Sequence, residues 1–110
     1  MNFFESTKQT PKNKLVLVDI DETICFYSKK RRYDLAEPSY ENIAKINKLY
    51  DNDWKVVYWT SRGGVSGVDY EDFTKMQLEE WGCKYHELSV GEKPDYHLLI
   101  CDRTKRIEEI

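Results

Sequence analysis

Apolar positions in this chain gather into a few unbroken runs separated by polar stretches. Leu15 to Ile20 reads LVLVDI, and Trp54 to Trp59 has VVYW at its centre. Continuous apolar runs of this length predict strands buried on both faces, as in parallel sheets. Between them, Pro38-Ser39 supplies a helix start, with Tyr40, Ile43, Ile46 or Asn47, and Tyr50 on one face and Asp51-Asn52-Asp53 as the stop. A second helix is expected after Asp69, with Tyr70, Phe73 and Met76 recurring at threes and Gly82 ending it. Lys84 to Val90 is a weaker strand, Tyr96 to Cys101 a stronger one, and the residues from Arg103 read as a short helix. Ser28 to Asp34 reads as a basic loop and Gly63, Gly64 and Gly67 as a glycine-rich one.

The alternation of strand and helix predicts an α/β fold. The expected architecture is a Rossmann-like three-layer α/β/α sandwich, with a short parallel sheet covered by helices on both faces. At 110 residues the chain suffices for one domain, 1–110, and leaves no room for a separate substrate-binding domain.

Composition narrows the function classes. Apolar residues at 40% and charged residues at 34% fit a soluble globular protein. A net charge of -3 argues against nucleic acid held by the overall field, although Lys29, Lys30, Arg31 and Arg32 form a local basic patch. No run approaches a membrane span and the first fourteen residues lack a signal-peptide core, so a cytoplasmic protein without a membrane partner is expected. Cys25, Cys83 and Cys101 form no C-x-x-C pair and are expected to be reduced. His86 and His97 have no ligand-like spacing, and the tryptophans read as core.

The candidate chemistry lies where strands end. Parallel sheets bind ligands outside their carboxyl ends, and three expected strands run there into polar groups: Asp19 to Asp21, Thr60 to Arg62, and Asp102. Asp19 and Asp21, two apart, are expected to share one site while Ile20 faces the core. A divalent cation would relieve their repulsion, and hard oxygen ligands favour Mg²⁺ over zinc. One carboxylate is then suited to attack a phosphoryl group and the other to move protons. Thr60 and the backbone N–H groups that follow it, at Ser61 and beyond, are candidate donors to phosphoryl oxygens, and Lys93 is a candidate cation.

In this order the residues resemble the haloacid dehalogenase (HAD) superfamily, mostly phosphatases. Asp19-Ile-Asp21-Glu-Thr23 is similar to its first motif, Thr60 after VVYW to its second, Lys93 to its third, and the acid after LLIC to its fourth. TSRGG, QLEEWGCKYHEL and KPDYHLLICDR further resemble small capless phosphatases of cell-surface polysaccharide biosynthesis. The resemblance implies a HAD-like, capless fold with only the loop Cys25 to Glu37 over the site. It implies Asp19 as the nucleophile that becomes phosphorylated, and Asp21 as general acid and then base. Mg²⁺ would be held by Asp19, the backbone carbonyl of Asp21 and Asp102, while Thr60, Ser61 and Lys93 hold the phosphoryl oxygens. One departure is that the usual pair of adjacent acids falls on Cys101-Asp102.

The expected function is thus a Mg²⁺-dependent phosphomonoesterase acting on a sugar phosphate or related small metabolite. Arg62 either reaches substrate or faces solvent. Arg31 and Arg32 either hold an anionic substrate beside the opening or form a solvated loop. A second copy of the chain is a candidate cover for the open site. The rival readings are a non-catalytic phosphate-ligand-binding module, motivated by Cys101, and a receiver-type signalling domain. The position of Lys93-Pro94 before the last acid disfavours the receiver.

Overall fold

Leu15–Asp19 forms β1, the first strand of a computed structural model that describes residues 15–91 and 98–100 together with Ile107. Next come a short hairpin strand β2, Cys25–Phe26, a 3-10 turn at Tyr33–Leu35, and its partner β3, Glu37–Pro38. Helix α1 spans Tyr40–Asp51, β4 Lys55–Thr60, α2 Glu71–Glu80, β5 Glu87–Val90 and β6 Leu98–Ile100. The four longer strands make one parallel sheet in the order β5-β4-β1-β6, and β2 and β3 pair antiparallel beside it.

This order puts β1 at a reversal. From β1 the chain steps outward through β4 to β5, then returns to lay β6 against the other side of β1. Doubly wound sheets place ligands at such a switch point, outside the carboxyl ends of the strands. Asp19, the last residue of β1, stands there in register with Trp59.

Alternation along the strands separates two apolar clusters. Val16, Val18, Ile20, Val56 and Tyr58 pack with Ile43, Ile46 and Leu49 of α1 and with Leu78 of α2, all buried. Each such aliphatic side chain contributes roughly 1.5–3 kcal/mol on leaving water. The opposite face carries Leu17 and Val57, with Leu15 and Trp59 against them. Both helices therefore cover one face. The second helical layer of a three-layer sandwich is not among the described residues, and neither is the expected C-terminal helix.

Local signals explain the helix ends. Ser39 caps α1, its Oγ accepting from the Asn42 N–H at 3.3 Å. Asn52 takes the C-cap, and Asp53 follows in the left-handed region at φ 67°. Asp69 does accept from a backbone N–H, that of Glu71 at 2.9 Å, but α2 begins one residue later than a cap at Asp69 would place it.

Candidate active site

Beyond Asp19 the chain turns sharply. The Ile20 N–H donates to the Trp59 carbonyl at 3.1 Å, which holds the end of β1 against β4. The N–H groups of Thr23 and Ile24 then turn back to the Ile20 carbonyl, while Glu22 takes the left-handed region at φ 65°. Glu22 thus belongs to the turn. The buried Thr23 hydroxyl has no hydrogen-bond partner among the described residues, and the Thr23 carbonyl accepts from Asn42 Nδ2 at 2.9 Å.

Asp21 is the centre of a buried polar network. Its Oδ1 accepts from Arg62 Nη2 at 2.8 Å and from the Tyr27 hydroxyl at 2.5 Å, with the Cys25 thiol at 3.6 Å. Its Oδ2 accepts from Arg62 Nε at 3.1 Å and from the Thr60 hydroxyl at 3.0 Å. Both oxygens are thus fully engaged, two of the bonds being the parallel pair that Arg forms with a carboxylate. Burial pushes the Asp21 carboxyl up, but the hydrogen bonds and charge of Arg62, with Tyr27 and Thr60 assisting, outweigh it and hold the group below its ordinary value.

Arg62 departs most from expectation. Its side chain is fully buried and so does not face solvent. Nη1 donates to Thr74 Oγ1 at 3.2 Å and to Gln77 Oε1 at 2.6 Å, both on α2, and the guanidinium lies 4.6 Å from the centre of the Tyr33 ring. Gln77 in turn donates to the Tyr33 carbonyl at 2.6 Å. One side chain thereby joins the end of β1, the end of β4, helix α2 and the 3-10 turn.

The other expected site residues divide. Thr60 is buried at the end of β4; its hydroxyl donates to Asp21 and accepts from the Arg62 N–H at 3.2 Å. Ser61 is exposed beside it. Arg31 and Arg32 are exposed on the loop before the 3-10 turn, Arg32 in an ion pair with Asp34 at 2.9 Å and Arg31 over the Tyr27 ring at 5.6 Å. Lys93, His97, Cys101 and Asp102 lie outside the described residues.

Neighbouring groups are inert by comparison. Burial and the Asp21 charge push the Cys25 thiol up to about 12, so it stays protonated. His86 is structural, its Nδ1 accepting from the Val56 N–H at 3.1 Å and its ring stacked on Tyr50. Cys25 and Cys83 are free thiols.

The Asp21 carboxylate is occupied by Arg62, Thr60 and Tyr27, which leaves its side chain poorly suited to hold a divalent cation. Among the described residues no three His, Cys, Asp or Glu side chains gather as metal ligands. Likewise, no helix among them is long and apolar enough to cross a membrane.

No family model matches the chain. It is 35% identical over 100 residues to an ornithine carbamoyltransferase of Listeria monocytogenes serovar 1/2a (strain ATCC BAA-679 / EGD-e), a match covering 84% of this chain and 28% of that protein. The chain therefore spans little more than a quarter of that relative. Among solved structures it resembles a crystallised MCSG target from Vibrio cholerae, with a TM-score of 0.67 and 22% identity over 87% of this chain and 85% of the other. That likeness supports a small Rossmann-like α/β fold.

Proposed function

We propose that this chain is a Mg²⁺-dependent phosphomonoesterase of the HAD type, in which Asp19 forms an aspartyl-phosphate. The carrying observation is the convergence of Asp21 and Thr60, on neighbouring parallel strand ends, beside Asp19 at the strand-order reversal. A divalent cation, when bound, would supply the positive charge that lets a carboxylate approach a phosphate dianion. Asp19, the Asp21 main-chain carbonyl and Asp102 are the residues proposed to hold it.

In the first half-reaction an Asp19 carboxylate oxygen forms a bond to phosphorus as the P–O bond to the alcohol breaks. In the second, water attacks the aspartyl-phosphate and releases inorganic phosphate. Asp21 is ionised and fixed, the state suited to taking a proton from that water. To protonate the leaving alcohol in the first half-reaction, Asp21 must first take up a proton from solvent, which requires one of its lone pairs to be vacated. The donor best placed to yield is the Tyr27 hydroxyl, since Tyr27 is half-buried whereas Thr60 and Arg62 are fully enclosed.

A non-catalytic phosphate-binding module is favoured by one observation, the complete engagement of both Asp21 oxygens. Phosphate release from a panel of sugar, nucleotide and acid phosphates, with and without Mg²⁺, separates the readings. Turnover that needs Mg²⁺ and disappears in Asp19→Asn supports the phosphatase; full activity of that variant removes Asp19 as nucleophile, and binding without release supports the module.

A further inference from the structure

Beside the Asp21 network the surface opens into a cleft of about 690 Å³, within the size range of small-molecule sites. It lies between the loop of Arg31 to Asp34 and the segment from Gly63 to Phe73. Its walls combine three kinds of group. Tyr33, Tyr70 and Phe73 supply apolar and aromatic surface, with Tyr33 and Tyr70 in an edge-to-face pair at 5.0 Å. Asp34, Asp69 and Ser66 supply hydroxyl-binding oxygens. Arg31 and Arg32 supply positive charge, and they are not equivalent: Arg32 is neutralised by Asp34, whereas Arg31 forms no ion pair among the described residues.

We propose that this cleft binds the organic half of the phosphorylated substrate, and that this half is a hydroxylated ring carrying one anionic substituent, received by Arg31. The proposal rests on the phosphatase reading for its link to turnover. The ligand class follows from the lining. Aromatic walls accept the C–H faces of a ring, and acceptor oxygens on the same walls favour hydroxyl groups. With Arg32 and Asp34 neutralising each other, the cleft keeps one carboxylate, Asp69, which disfavours a polyanion, and one guanidinium, Arg31, which offers planar, bidentate hydrogen bonding to one carboxylate or phosphate group. The cleft is also connected to the site: its Tyr33 ring lies against the guanidinium that holds Asp21. A ligand seated on Tyr33 therefore presses on the residue that positions the Asp21 carboxylate.

The test uses the whole chain with Mg²⁺ withheld, and two of its three probes carry no phosphate, so that it does not depend on catalysis. Glucuronate, glucose and glucose 6-phosphate are titrated in turn while the side-chain NMR signals of Tyr33, Tyr70 and Phe73 are followed. Saturable shifts of these rings with either anionic sugar, and weaker binding of glucose, support the cleft; the preference between glucuronate and glucose 6-phosphate identifies a carboxylate or a phosphate as the anion. Arg31→Gln should weaken the anionic sugar about five- to tenfold, in the range of one charge-assisted contact. Lys30→Gln, an exposed neighbour outside the lining, should leave it unchanged. Equal binding of glucose, equal loss in both variants, or shifts confined to other residues would overturn the proposal. Absence of phosphate release in the panel above, with the ring shifts intact, would instead remove the phosphatase reading.

Discussion

Arg62 holds Asp21 from the side, Nε on Oδ2 at 3.1 Å and Nη2 on Oδ1 at 2.8 Å, with neither side chain open to solvent. A residue expected either to reach substrate or to face solvent is thus the support for an acid expected to move protons. The pair is desolvated, so its worth lies less in net stability than in what happens when one member is lost.

Replacing Arg62 with Met leaves the Asp21 carboxylate buried and strips Thr74 and Gln77 of their donor. The expected cost is about 3–5 kcal/mol at neutral pH, measured by urea unfolding. Asp21 is held below its ordinary 3.8. Its ionised form therefore contributes in full above that value, and the contribution fades as pH falls through the lower folded value. The gap between Arg62→Met and wild type should accordingly narrow on acidification. A gap that stays constant would mean that the lost packing, not the ion pair, sets the cost.

The Tyr27 hydroxyl is the donor to Asp21 nearest solvent, and it helps to keep the carboxyl low. Tyr27→Phe removes it, so the Asp21 carboxyl should rise and the acid limb of aspartyl-phosphate hydrolysis, the step in which Asp21 is the base, should move to higher pH. A pH–rate profile measures this directly. An unmoved limb would assign that titration to a group other than Asp21.

Metal binding is measurable apart from turnover. If Asp19 is a ligand, Mg²⁺ should raise the midpoint of thermal unfolding, with about 2.7 kcal/mol of added stability at a hundred times the dissociation constant. Asp19→Asn should lose most of that shift. An equal shift in the variant would place the cation elsewhere.

Two glycines of the loop after β4 should respond unequally to alanine. At Gly63, φ is +79° and an added Cβ would meet the Val68 carbonyl oxygen at 2.0 Å; at Gly67, φ is +76° but nothing lies within 4 Å. Gly67→Ala is expected to cost about 1 kcal/mol, the penalty of the left-handed conformation. Gly63→Ala should cost more and should perturb the cleft, whose wall includes Gly63 and Tyr70. Comparable unfolding curves for the two variants would show that the loop relaxes around the added methyl.

Apolar runs revealed the strands, because a buried parallel strand cannot hide its composition. β1 and β4, and the polar residues that end them, were legible as LVLVD and VVYWT. The helix starting after Ser39 was legible from its cap, although Tyr40, expected on the buried face, is 63% exposed. Helix α2 was misread in a more instructive way. Periodicity favoured Tyr70, Phe73 and Met76, yet Met76 is exposed and the buried residues are Thr74, Gln77 and Leu78. Thr74 and Gln77 are inside because Arg62 needs acceptors there, and hydrophobic patterning cannot see a face made inward by hydrogen bonds. The one available signal was two polar residues three apart beside Leu78. The hairpin of β2 and β3 was missed because two-residue strands carry no period, and with it the role of Tyr27.

The position of β1 in the sheet also bears on how the chain folds. Its two neighbours come from distant parts of the sequence, and Val16 pairs with Leu98 close to the far end of the 110-residue chain. Such distant pairing closes slowly. Until β6 arrives, the aliphatic strand β1 has one edge unpaired, a template for the wrong partner. During synthesis the switch point is therefore the last part of the sheet to be completed, and a chain halted before Leu98 should aggregate instead of showing partial function.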